Sequence, residues 1–279
     1  MKKDFLIIVR GAGDLATGTI HKLWKAGFKV VALESENPSS IRRQVSASEA
    51  VYEGKACVEG MHVLLVKNIQ EMEEAFLLNQ VPLFVDPFGK MIEKLKPDVL
   101  VDAILAKKNL GTKKDMAPLT IALGPGFVAG KDVDFVIETK RGHNLGRVIK
   151  EGQAIKNTGV PGNIGGYTKE RVIHAPVEGT VHIVKNIGDI VRAGETIAKI
   201  DEYEVPASLS GILRGMIRNG YVVTPGFKMA DIDPRLDELD NCFTISDKAR
   251  CIAGSVLEVI CGEIFNGKNI RKNFRIFEK

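Results

Sequence analysis

Gly11, Gly13 and Ala16 stand at the G-x-G-x-x-G/A spacing, in which each position has its own task. The first makes the turn, the second lets a phosphate approach bare backbone, and the third packs helix on strand. Asp14 lies inside the same turn, where it would order the head of a helix whose free N–H groups attract an anion. Glu34 follows 23 residues after Gly11, close to the roughly 20-residue offset of an acid that grips a ribose 2′-hydroxyl. A second chemical group is Arg141-Gly142-His143-Asn144. Arginine, imidazole and amide beside a glycine suit a phosphate or a planar heterocycle, and equally suit a polar hairpin. Arg42 and Arg43 either hold a further phosphate or stand as a solvated basic pair.

The elements that must position these residues follow from the pattern around them. An apolar run from Phe5 to Val9 reads as a strand feeding the glycine turn, and Asp14 to Ala26 as the helix that Gly27 ends. Phe28 to Leu33 reads as a second buried strand with Glu34 at its C-terminal end. The alternation continues through strands at His62–Val66, Val81–Val85 and Val99–Val101, with helical stretches at Ile69–Leu78 and Met91–Leu95. Such alternation predicts a parallel sheet with helices on its faces and its ligand beyond the strand C-termini. Asp86 and Asp102 fall at that edge, as ligand groups or as turn residues. Val133 to Glu138 reads as a further strand that joins or flanks this sheet and delivers Arg141 to Asn144 to the edge where the glycine turn lies.

Composition bounds the function classes. A chain of 279 residues that is 44% hydrophobic can bury the cores of about two domains. Its net charge of +4, from 39 basic and 35 acidic residues, is interspersed, so no basic stripe argues for nucleic acid. The basic run from Lys268 to Lys279 reads as a solvated end. No segment approaches the roughly 18 apolar residues of a membrane span. The four cysteines, Cys57, Cys242, Cys251 and Cys261, form no C-x-x-C pair. Reduced thiols in a cytoplasmic protein are therefore expected. The five histidines show no metal-binding spacing, and no metal is expected.

Residues 124–166 hold ten of the 28 glycines, a density that fits tight turns or close backbone approach to a ligand. Beyond them runs an internal repeat: His174 to Asp201 overlays Pro206 to Asp233 without a gap at an offset of 32. Identities at Ala175/Ala207, Gly179/Gly211, Gly188/Gly220, Gly194/Gly226 and Asp201/Asp233 mark two short-stranded β halves related by a pseudo-twofold axis. The phrase from Ala175 to Val181, followed by Gly188 to Glu195, resembles biotinyl and lipoyl domains. Those carriers place a modified lysine in the hairpin between the halves. Here Ile200-Asp201-Glu202-Tyr203-Glu204-Val205 has none, so neither biotin nor lipoate is expected. After Asp233-Pro234, Ser246-Asp247 opens an apolar-periodic C-terminal helix through Phe265.

Arg10 to Gly18, Gly124 to Phe127, Ile137 to Ile149, Asn157-Thr158-Gly159 and Thr244 to Arg250 together resemble the YqeB-type family over nearly the whole chain. The resemblance implies a role in maturing selenium-dependent molybdenum hydroxylases, with an N-terminal half similar to the Rossmann part of XdhC-type proteins. It implies a molybdopterin-type cofactor or a dinucleotide as the phosphate-bearing ligand, and the hydroxylase or its maturation factors as partners. In that reading Gly11, Gly13, Asp14, Ala16 and Glu34 hold phosphate and ribose, and Arg141, Gly142, His143 and Asn144 grip phosphate or pterin. The expected architecture is α/β. A Rossmann-like parallel sheet spans 1–123, a Gly-rich ligand segment 124–170, a small biotinyl/lipoyl-like β domain 171–235, and a helical segment 236–279. The alternatives are an NAD(P)-dependent oxidoreductase, with His143 and Asp86 or Asp102 as its acid–base pair, and a ligand-free scaffold that docks a partner enzyme.

Overall fold

The structure, a computed structural model, describes residues 5–265; the basic run from Lys268 lies outside the described residues. The chain packs as two units, one of residues 5–38, 47–157 and 245–265, the other of residues 39–46 and 158–244.

The first unit is a mixed, mostly parallel α/β sheet of nine strands. In chain order its elements are β1 (Leu6–Arg10), α1 (Asp14–Lys25), β2 (Lys29–Glu34), α2 (Ala50–Glu53), β3 (Lys55–Val58), β4 (Met61–Leu65), α3 (Ile69–Leu77), β5 (Val81–Val85), α4 (Lys90–Leu95), β6 (Val99–Asp102), β7 (Leu119–Leu123), β8 (Val128–Ala129), β9 (Phe135–Ile137), β10 (Val148–Ile149), β11 (Gly152–Gln153) and α5 (Asp247–Phe265). The nine-strand order is β10-β9-β7-β6-β1-β2-β5-β4-β3, with β8 and β11 paired antiparallel in a separate two-stranded sheet. The large sheet is parallel from β9 through β4 and antiparallel only at the edge strands β10 and β3. Every residue of β1 and β7 is buried, which is why those strands read as continuous apolar runs rather than alternating ones. Starting from β1 the chain lays β2, β5 and β4 on one side and then returns to place β6 on the other. The topological switch point of the sheet is therefore the β1/β6 boundary, where ligands of open α/β sheets bind.

One face of the sheet is closed by α1 and α5. Ala16, Ile20 and Leu23 share a core with Ile252, Val256, Val259, Ile260 and Ile264. The two helices meet so closely at Gly18 that a Cβ there would lie 2.7 Å from the Ala249 Cβ. Ser246 caps α5 as its position implies, accepting the Ala249 N–H on Oγ at 3.1 Å.

The second unit carries β12 (Val172–His174), β13 (Gly179–Ile183), β14 (Ile190–Val191), β15 (Thr196–Ile200), β16 (Tyr203–Pro206), β17 (Gly211–Met216), β18 (Val222–Val223) and β19 (Lys228–Asp233). They form two small antiparallel sheets, β12-β19-β17-β14 and β16-β15-β13-β18. A shift of 32 residues converts the first order into the second, so the sequence repeat is a repeat of structure. Equivalent positions fill one core, among them Val181 and Leu213, Ala198 and Ala230, and Ile200 and Ile232. The turn between β15 and β16 is Asp201-Glu202, both exposed.

This division differs from the four segments expected from composition. Residues 124–157 belong to the first unit because β9 extends the parallel sheet beside β7. The C-terminal helix belongs there because its apolar face completes the α1 core. Residues 39–46 belong to the second unit. Ile41 packs against Gly215, and Arg42 is buried, donating to the Asn241 carbonyl at 2.7 Å and that of Thr244 at 3.2 Å. Arg43 donates through Nε to the Met216 carbonyl at 2.8 Å. Neither arginine is a solvated pair or a phosphate clamp: their donors hold the backbone of the β unit together.

Candidate functional site

The glycine turn joins β1 to α1 at the C-terminal edge of the sheet. Gly11 donates its N–H to the Leu33 carbonyl at 2.7 Å and has φ +96°, with space for a Cβ closed by the Ala103 carbonyl oxygen at 2.8 Å. Only glycine satisfies both conditions, and its lack of a side chain lets the loops after β1 and β6 touch at the switch point. The first amides of a helix have no intrahelical partner, and Gly13, the N-cap of α1, offers them no side-chain acceptor. Thr17 secures the turn from below: its hydroxyl donates to the Gly13 carbonyl at 2.8 Å and accepts the Ala47 N–H at 2.8 Å. Ala16 is buried where the helix meets the sheet.

Glu34, the last residue of β2, reaches this turn. Its Oε2 accepts the Ala12 N–H at 2.7 Å, and its Oε1 accepts the Ser35 N–H at 2.7 Å. The acid read as a ribose ligand thus also fixes the glycine turn. Oε1 accepts the Ser35 hydroxyl as well, at 3.1 Å, so the lone pair left for a further hydroxyl is on Oε2, which holds one amide.

Beneath the turn lies a buried polar network spanning three strand ends. Arg10, 3% exposed, donates to Thr112 Oγ1 at 2.6 Å and to the Pro87 carbonyl at 3.2 Å. Thr112 Oγ1 in turn donates to Asp102 Oδ2 at 2.5 Å, and the Arg10 guanidinium stands 3.7 Å from that oxygen. Burial pushes the Asp102 carboxyl above its ordinary range, against the opposing pull of Thr112 and Arg10. Asp86 is committed elsewhere, its two oxygens accepting the N–H groups of Lys90 and Met91 at 3.0 and 2.7 Å at the head of α4.

The second predicted group sits at the same edge but apart. β7 and β6 separate β9 from β1, about 15 Å in strand spacings. Buried Glu138 accepts the Lys140 and Ile155 N–H groups at 2.7 and 2.8 Å, closing the loop into a compact turn. Arg141 makes a two-pronged ion pair with Asp247, at 2.6 and 3.0 Å. Gly142 and His143 are exposed and Asn144 is partly so. The structure therefore ties Glu34 to the turn that carries Gly11, Gly13, Asp14 and Ala16, and sets Arg141, Gly142, His143 and Asn144 on the loop after β9, with the Arg141 fork on Asp247 at the start of α5. Asp86 and Asp102, the acids read as possible partners of His143, are engaged by the head of α4 and by Thr112.

Arg10, Asp102, Thr112 and the Asp86–Gly89 turn form the rest of this edge. Only the aspartates, at the ends of predicted strands, signalled their place; Thr112 carried no pattern to find it by. Among the described residues no group of three or more His, Cys, Asp or Glu side chains converges to hold a metal ion. Cys57 and Cys251 are exposed and Cys242 is buried, with burial raising the thiols of Cys242 and Cys261. No helix among the described residues is long and apolar enough to cross a membrane.

Fold and site define an α/β protein with a glycine turn at the switch point of a mostly parallel sheet. No family model matches the chain. It is a homologue of the Escherichia coli (strain K12) protein named "Uncharacterized protein YqeB", 50% identical over 256 residues that make up 91% of this chain and 47% of that protein. The chain thus spans about half the length of this curated relative. Product-bound and apo structures of the ectoine utilization protein EutE (DoeB) from Ruegeria pomeroyi align over 82% of the chain and 85% and 86% of theirs. With TM-scores of 0.26 and 0.25 and 11% identity, that likeness is too loose to bear on fold or function.

Proposed function

We propose that the chain binds a phosphate-bearing ligand at the Gly11–Ala16 turn and serves as an accessory protein in the maturation of a selenium-dependent molybdenum hydroxylase. The ligand in this reading is a molybdopterin-type cofactor or a dinucleotide, and the partner is the hydroxylase or one of its maturation factors. The first unit is then a Rossmann-like domain of the XdhC kind. The second is a barrel-sandwich of the biotinyl/lipoyl type that has kept the pseudo-twofold and not the acylated lysine.

The observation that carries the reading is the grip of Glu34 on the Ala12 N–H at 2.7 Å. It sets an acid at the end of β2, where a ribose hydroxyl is held in dinucleotide folds, and holds rigid the loop that takes the phosphate. Two carboxylates, Asp14 and Glu34, oppose an anion here, and the charge of Arg10 is shared with Asp102. The exposed Lys107 and Lys108, on the loop that follows β6, supply positive charge at the same edge. Similarity to YqeB over 91% of the chain supports the resemblance from which the maturation role is drawn.

Thermal denaturation of the pure protein with NAD, NADP, CTP and molybdopterin tests the reading. A ligand at a hundred times its Kd stabilises by about 2.7 kcal/mol, so molybdopterin or CTP is expected to raise Tm. The Glu34 carboxylate at the β2 end also fits a nicotinamide enzyme. Stabilisation by NAD alone, with hydride transfer to a carbonyl substrate, would replace the accessory role with that one.

A further inference from the structure

Phe88 is 81% exposed on the short turn that follows β5. Isolated apolar side chains in water are ordinary on protein surfaces; this one differs in how its backbone is held. The Gly89 N–H donates to the Asp86 carbonyl at 3.3 Å, and the Asp86 carboxylate takes the next two amides. The Asp86 N–H donates to the Glu34 carbonyl at 2.9 Å, and the Pro87 carbonyl accepts the Arg10 guanidinium at 3.2 Å. Gly89, at φ +74°, completes a turn tied to the last residues of both β1 and β2. The aromatic ring is thus presented to solvent from a fixed base beside the glycine turn.

We infer that Phe88 is the stacking platform for the flat heterocycle of the ligand whose phosphate lies on the Gly11–Ala16 turn, an inference that rests on the function proposed above. β5 stands two strands from β1, about 10 Å across the sheet edge, a span on the scale of the separation between phosphate and ring in a nucleotide or a phosphorylated pterin. Glu34 lies on β2 between them, in the place of the sugar or linker hydroxyl. A ring face in water, on a backbone already held before binding, gains from covering by any π-surface and discriminates little between them. The chemistry recognised is therefore a planar heterocycle joined to phosphate, with Phe88 supplying affinity and the turn supplying orientation.

The test titrates wild-type protein, Phe88→Ala and Phe88→Tyr with GMP, CMP, 6-hydroxymethylpterin pyrophosphate and ribose 5-phosphate, by calorimetry. At least one heterocyclic phosphate is expected to bind tighter than ribose 5-phosphate, and Phe88→Ala to remove that margin, weakening it tenfold or more. Phe88→Tyr should keep the margin, and ribose 5-phosphate should bind wild type and Phe88→Ala alike. Heterocyclic phosphates that bind Phe88→Ala as tightly as wild type would overturn the platform and leave the phosphate site standing. Absence of binding by all four compounds to wild type would overturn both.

Discussion

On the function proposed above, a branched side chain at Gly13, the N-cap of α1, stands where a phosphate oxygen approaches the first turn of that helix. Gly13→Val is expected to weaken binding of whichever probe the wild type accepts by tenfold or more while Tm stays nearly unchanged; calorimetric titration beside a thermal melt reads both. Gly11 has the opposite profile. At φ +96° and with the Ala103 oxygen 2.8 Å from any Cβ, Gly11→Ala is expected to cost about 1–3 kcal/mol of stability, visible as a lower urea midpoint. In that reading one motif contains a glycine for the ligand and a glycine for the fold. Both were legible in the sequence as spacing, and so was the acid at Glu34. What spacing could not show is that Glu34 spends an oxygen on Ala12, because that bond depends on how far the end of β2 reaches along β1. The Arg10–Thr112–Asp102 network was invisible for a related reason: Arg10 and Thr112 stand 102 positions apart.

At the scale of elements, α1 and α5 form the tightest junction of the sheet's covered face. Gly18→Val would force the helices apart against Ala249, and overpacking of this kind costs about 1–3 kcal/mol. Equilibrium unfolding of Gly18→Val beside Gly18→Ala, whose smaller side chain should cost less, checks the grading. The loop after β9 bears a different expectation. Its Arg141–Asp247 pair is open to water, the side chains 41% and 71% exposed, so Arg141→Lys is expected to change stability by under about 1 kcal/mol. It should also leave ligand affinity within twofold, and a tenfold loss on titration would return Arg141 to the site. Strands and helices around the first two loops were readable because buried parallel strands are apolar throughout and their helices keep one apolar stripe. The edge strand β3 was not, since Lys55 and Cys57 face solvent and leave too short a pattern. Nor did β7 stand out, although Leu119–Leu123 is fully buried, because it follows a loop rather than a helix.

Taken whole, the chain joins an α/β unit to a β unit whose repeat was plain in the sequence, while the membership of residues 39–46 was not, being decided by contacts of Ile41, Arg42 and Arg43. The β unit has its own electrostatic signature. Burial would raise the Asp233 carboxyl, but the Arg235 fork overcomes this and lowers it below its ordinary range. A lowered carboxylate contributes stability that is present above its unfolded value and is lost as pH falls through its folded one. Arg235→Met is therefore expected to destabilise at neutral pH and to converge toward wild type as pH falls through and below the ordinary aspartate range, measured by urea unfolding from neutral to acid pH. Intact mass should equal that of the bare sequence; an added biotin or lipoate mass would contradict the reading of the Asp201-Glu202 turn. The interleaving of the two units also sets a schedule for synthesis. The apolar flank of α1 is made early, yet its cover, α5, follows only after the β unit has been translated. At roughly 5–20 residues per second, that flank waits on the order of ten to forty seconds on the ribosome, long enough for a chaperone to become its first partner.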